Sequence, residues 1–121
     1  MFAFVLDWEN FKVWLSAISG LSHHDWHLIL GLGLTFGLGW MLRCPLGSFV
    51  PLGIVFVLEL VNEAFDFIRN IVPGWPLLPG EAAIDVAITI LPPLSIVLAA
   101  RWNSADYYHF RQRQPITVRT L

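Results

Sequence analysis

The chain has 121 residues, 56% of them apolar and 13% charged, with a formal net charge of −2 and a mean hydropathy of +0.65. Soluble domains average about 45–50% apolar and about 25% charged residues, and a domain this small has too little interior to hide the excess, whereas lipid can take it. The composition points to an integral membrane protein, the negative balance argues against general nucleic-acid affinity, and the single cysteine, Cys44, excludes an intrachain disulfide framework.

Residues 1–20 carry Asp7, Glu9, Asn10 and Lys12 in their middle, too polar and too short a stretch for a comfortable membrane crossing. The acids also stand where a signal peptide would be basic. At 100° per residue, Phe4, Trp8, Phe11, Trp14, Leu15 and Ile18 share one face, and Glu9, Lys12, Ser16 and Ser19 share the other. The pattern predicts an amphipathic helix lying in the membrane interface.

Three apolar segments follow. Residues 25–43 form the first predicted span, ended by Cys44-Pro45 because proline cannot continue a helix. Residues 47–69 form the second, with Pro51 near its start. A connection rich in Pro and Gly comes next, in which Pro73-Gly74 and Pro79-Gly80 read as turns and Trp75 suits the headgroup level. Residues 82–100 form the third, with Pro92-Pro93 expected to kink it, and residues 101–121 make a polar tail. The expected fold class is therefore an all-α integral membrane protein with three transmembrane helices and an N-terminal interfacial helix, in one membrane domain. Arg43, Arg101, Arg111, Arg113 and Arg119 then fall on one side, which the positive-inside rule makes cytoplasmic. Arg69 dissents.

Chemistry concentrates in the second span. Glu59, Glu63 and Asp66 stand at i, i+4 and i+7, so they line one helical face, with Asn62 beside them and Asn70 extending the row. Carboxylates in a span normally face a bundle interior or a wet cavity, and three in line must share protons, a cation or an arginine. The plainer reading is a polar seam with Arg69 as partner. Asp85 opens the third span with Thr89 one turn on, and Asp25 and His27 open the first. With alternating helix directions, His27, Glu63, Asp66 and Asp85 all reach the same membrane face, and Glu59 lies one to two turns deeper. His23, His24, His27, Glu63 and Asp85 are candidate N/O ligands for a divalent metal, although His23 and His24 stand just outside the span. His27 is also a candidate axial ligand for a pigment or haem; no cofactor is specified by a motif. His27, Gly31, Thr35, Gly39 and Arg43 recur every four residues, and Gly33 and Gly37 form a second small face. Both suit close helix packing.

An Asp and a His opening a glycine-bearing span, a span with spaced acids (ELVNEAFDFIR), a Pro/Gly loop and an Asp opening the last span (DVAIT) follow one another here. This order resembles the VanZ-like family of small bacterial membrane proteins over residues 22–101. The resemblance implies polar positions at Asp25, His27, Glu59, Glu63, Arg69 and Asp85, and a place in the bacterial cytoplasmic membrane. It also implies a link to the cell envelope and glycopeptide (teicoplanin) tolerance, in a family whose biochemical activity is poorly defined. Three functions suit the residues: a non-enzymatic accessory subunit docking other transmembrane subunits, an enzyme acting on a lipid or lipid-linked substrate, and a component of a proton or ion pathway. Glu59, Glu63, Asp66, Asp85 and His27 are the candidate catalytic groups in the second.

Overall fold

The computed structural model describes residues 2–71 and 79–112, with side chains for 3–71 and 79–105. Its described part is all-helical: α1 (Phe2–Ser19), α2 (His23–Met41), α3 (Phe49–Ile71) and α4 (Pro79–Gln112). Trp75 and Pro73-Gly74 lie outside the described residues.

Local chemistry sets the helix ends. Gly20 ends α1 at φ 70°, its N–H returning to the Ser16 carbonyl at 3.1 Å. That left-handed position is open to a residue without a Cβ. Ser22 and Asp25 then form a reciprocal capping box for α2, the Asp25 N–H donating to Ser22 Oγ and the Ser22 N–H donating to Asp25 Oδ2 at 2.8 Å. Asp25 is thereby a cap and not a member of the buried polar cluster. At the other end α2 stops at Met41, ahead of the Cys44-Pro45 pair expected to end it. The Cys44 N–H bonds to the Gly39 carbonyl and the Arg43 N–H to the Trp40 carbonyl, with Arg43 at φ 55°. This is a Schellman closure that needs no proline. Pro79-Gly80, predicted as a turn, opens α4 instead, since a proline in the first helical turn loses no bond the helix requires. The helix also continues past residue 100 to Gln112, through the start of the segment read as a tail.

The chain runs up, down and up through α2, α3 and α4. His27 on α2 meets Glu59 near the far end of α3 and Asp85 and Thr89 near the start of α4, whereas Gly39 meets Pro51 and Gly47 meets Arg101 at the opposite end. The tightest crossing is between α2 and α4. A Cβ on Gly31 would collide with the Thr89 carbonyl. Pro93, four residues on, has no N–H to offer that carbonyl, so the helix leaves it free and a bare glycine lies against it. Pro92 and Pro93 thus sit inside an unbroken α4, with Pro93 fully buried. At the opposite end Arg101 donates to the Gly47 carbonyl at 3.2 Å and its guanidinium stands 4.8 Å over the Phe49 ring.

Helix α1 packs on α3 alone among close pairings, and it crosses that helix steeply. Trp8 and Glu9, neighbours on α1, reach Asn62 and Arg69, about two turns apart on α3, while Phe4 and Lys12, two turns apart on α1, reach Phe65 and Asp66, neighbours on α3. The two faces of α1 part along the predicted lines. Its charged side turns inward onto α3, with Glu9 buried, and Phe4, Trp8, Phe11, Trp14 and Ile18 are exposed. Asn62, Asp66 and Arg69 draw the polar face in.

Among the described residues, buried apolar side chains are few: Val5, Pro51, Leu52, Val55, Pro93 and Val97. Buried polar ones are Glu9, His27, Thr35, Glu59, Asp85 and Thr89, and Leu, Ile, Phe and Trp side chains cover the outside. Of the described helices one, α4 over Pro79–Ala105, is long and apolar enough to cross a membrane. The other two predicted spans fall short for identifiable reasons: three histidines and Asp25 crowd the start of α2, and α3 carries Glu59, Glu63, Asp66 and Arg69.

Candidate functional site

The acidic row of α3 divides in two. Asp66 is drawn to α1, where Lys12 Nζ bonds its Oδ1 at 2.8 Å and also meets Asn62 Oδ1 at 3.2 Å and Glu9 Oε1 at 2.6 Å. Arg69 donates to Glu9 Oε2 at 2.9 Å, so it is the partner of α1 and not of the acidic row. Burial pushes the Glu9 carboxyl above its usual range, against the pull of Lys12. The lone lysine of the chain and Arg69 are both committed here. This lock's contacts between α1 and α3 pair residues 50 to 60 positions apart, which local periodicity cannot disclose; the signal available was a lysine opposite an aromatic face.

The other half of the row turns to α2. His27, 7% exposed, lies between α3 and α4. Its Nδ1 is 2.8 Å from Glu59 Oε1 and 3.1 Å from Thr89 Oγ1. The Thr89 hydroxyl donates its own proton to the Asp85 carbonyl at 2.8 Å, so it can only accept from the imidazole. With a hydroxyl oxygen and a carboxylate oxygen both facing it, Nδ1 carries the ring proton, and Nε2 of the neutral ring holds a lone pair. That Nε2 faces His23 Nε2 at 3.1 Å and Asp85 Oδ2 at 4.0 Å, and His23 Nε2 is 3.3 Å from the same Oδ2. The His23 and His27 rings meet edge to face at 4.5 Å. His24 Nε2 approaches Asp85 Oδ1 at 3.5 Å. Placed one turn before His27 on the same face, His23 is part of the cluster and not a detached solvated side chain.

Glu63 completes the group. It presents a carboxylate oxygen within 4.8 Å of a ligand atom of both His27 and Glu59. The arrangement is short of positive charge: among the described residues no lysine or arginine pairs with Glu59, Glu63 or Asp85. Glu59 Oε1, Glu63 Oε1 and Asp85 Oδ1 are buried without a hydrogen bond of good geometry, a costly state for carboxylates. Two donor sets that could hold a cation result, His23–His27–Asp85 and His27–Glu59–Glu63. Of His27, Glu63, Asp66 and Asp85, expected to converge at one end of the bundle, the structure brings Glu63 and Asp85 to His27, whereas Asp66 is drawn to Lys12 of α1; Asp25 goes to its own cap.

Of the glycines and threonine proposed for packing, Gly31 and Thr35 are buried between helices, and a Cβ added at Gly39 would stand in ordinary contact with Pro51, at 3.5 Å. Gly33 and Gly37 face open space. Cys44 lines a crevice with Thr35, Gly39 and Pro51 at the end of the bundle remote from the histidines. No family model, no curated protein and no solved structure matches the chain.

Proposed function

We propose that the chain is a small multi-pass membrane protein whose His/carboxylate cluster performs acid–base chemistry on the headgroup of a lipid or lipid-linked envelope substrate. The observation that carries this reading is the inverted distribution of polarity, in which ionisable side chains are enclosed and large apolar ones exposed. Water does not reward such a surface, but hydrocarbon does. Supporting it, α2 with 19 residues is about 28 Å long, close to the hydrocarbon thickness of about 30 Å. Aromatic side chains mark both ends of the bundle, with Trp8, Phe11 and Trp14 on α1 at one end and Trp40 and Trp102 at the other. In this reading α2, α3 and α4 cross and α1 lies along the outer surface. The cluster then sits at headgroup depth on the outer face of a bacterial cytoplasmic membrane, the setting that the VanZ-like order of residues also suggests. Glu63, half-buried with an unpaired oxygen, is the group available for proton transfer.

Tag-purified protein in mixed micelles, offered phospholipids and lipid-linked diphosphates, is expected to release or transfer a headgroup. Glu63→Gln should lower that rate at least a hundredfold with the melting temperature held within a few degrees. Loss of the protein from membranes on an alkaline wash would remove the whole reading.

One observation favours a second role. Gly33 and Gly37 offer a bare ridge on α2 that no described residue covers, the kind of surface on which another transmembrane helix packs. An accessory subunit docking larger membrane partners would use it, and Gly33→Leu with Gly37→Leu would then abolish co-purification and leave the bundle folded.

A further inference from the structure

Three atoms at the cluster have the spacing of a coordination shell. His23 Nε2, His27 Nε2 and Asp85 Oδ2 are 3.1, 3.3 and 4.0 Å apart in pairs. A point equidistant from atoms at those separations lies about 2.1 Å from each, and zinc binds imidazole nitrogen and carboxylate oxygen at about 2.0–2.2 Å. Two ring nitrogens facing each other so closely need either a proton or a cation between them. The His27 lone pair is already fixed toward this point, because Thr89 and Glu59 hold the proton on Nδ1. Independently of the spacing, the Asp85 side chain is about nine-tenths buried, has an oxygen without a hydrogen bond, and has no lysine or arginine among the described residues to neutralise it.

We propose that His23, His27 and Asp85 bind a zinc-class divalent cation through His23 Nε2, His27 Nε2 and Asp85 Oδ2. Glu59 is the outer partner that orients His27, completing a carboxylate–histidine–metal relay of the kind that raises ligand basicity. His23 is half-exposed, so the fourth position opens to solvent, as catalytic zinc sites do and structural ones do not. The mixed imidazole and carboxylate donors suit zinc, cobalt or manganese better than calcium, which takes oxygen ligands throughout. This inference rests on the same cluster as the proposed chemistry but not on any activity.

The test uses full-length protein purified in detergent without a polyhistidine tag and stripped with a chelator. Zinc retained after desalting is expected at about one ion per chain, and cobalt in its place should give the visible absorption of a four-coordinate site. His23→Ala and Asp85→Asn should each lower affinity at least a hundredfold. Glu59→Gln should lower it about 10–100-fold, as loss of an outer partner does, and His24→Ala should leave it within threefold, because His24 approaches the other Asp85 oxygen. Helical circular dichroism accompanies each variant, and His23→Ala, altering a half-exposed side chain, reports on binding even if Asp85→Asn fails to fold. No zinc retained by the stripped wild type, or zinc retained equally by His23→Ala, overturns the site. Zinc bound without any headgroup chemistry would keep the site and remove the enzymatic reading; headgroup chemistry by a wild type that retains no zinc would do the reverse.

Discussion

Gly31 shows how much one hydrogen atom decides here. Its backbone lies against the Thr89 carbonyl that Pro93 leaves without a helical donor, so α2 and α4 meet at a point where no side chain fits. Gly31→Ala must push the helices apart, an overpacking that costs about 1–3 kcal/mol. Gly33→Ala and Gly37→Ala add a methyl into open space and are expected to be neutral or to stabilise by up to about 1 kcal/mol, since alanine is the better helix former. Thermal unfolding of the three variants in one detergent separates these outcomes: a drop for Gly31→Ala alone is expected, and equal behaviour of all three would refute the crossing. His27 is the polar counterpart of Gly31 one turn earlier. Its Nδ1 proton is accepted by Thr89 of α4 with the Glu59 carboxylate of α3 beside it, which is why its free nitrogen points where it does.

Among the elements, α1 is the one held by charge. Its docking on α3 rests on Lys12, Glu9, Asp66 and Arg69, with Phe4 against Phe65 edge to face at 6.2 Å. Arg69→Gln leaves the buried Glu9 with Lys12 alone, a loss of about 1–3 kcal/mol for a charge-assisted bond at a buried acceptor. Amide exchange in α1 should accordingly quicken about 10–100-fold and that in α2 and α4 should not change; unaltered protection of α1 would show that its aromatic contacts suffice. Helix α4 illustrates the converse. It tolerates two interior prolines, and Thr89, Ser95 and Ser104 each return a hydroxyl to the carbonyl four residues back, so their polar groups are satisfied within the helix.

Taken whole, the molecule has two chemically different ends. One collects His23, His24, His27, Glu59, Glu63 and Asp85, and the other holds Arg101 over the α2–α3 turn with Cys44. With three crossings, the proposed orientation puts the histidine end outside and the arginine end in the cytoplasm. Cys44, the one thiol, tests this directly. A membrane-impermeant maleimide applied to intact spheroplasts should leave it unmodified and should label it after permeabilisation, while a cysteine at position 24 (His24→Cys, in a Cys44→Ser background) should be labelled from outside. The opposite pattern would invert the topology, and labelling of both from one side would show that the bundle does not cross.

Helix number, the inward carboxylates of α3 and the convergence of His27, Glu63 and Asp85 at one end were legible from periodicity and span direction, because each depends on the angle and rise of a helix. Composition likewise announced an apolar exterior. Which carboxylate meets which partner was not legible. Asp66 and Arg69 go to α1 and His23 to Asp85, and each choice depends on a crossing angle that no single helix specifies, whereas Asp25 goes to its own cap, a contact three residues back. The contact of α1's charged face with α3 has the same origin. An isolated amphipathic helix has one natural orientation toward lipid, but a neighbour carrying Asn62, Asp66 and Arg69 offers its charged side a better environment than solvent. Periodicity settles which residues share a face; only the packing of a second helix settles what that face touches, since the pairing energies belong to contacts between residues far apart in the chain.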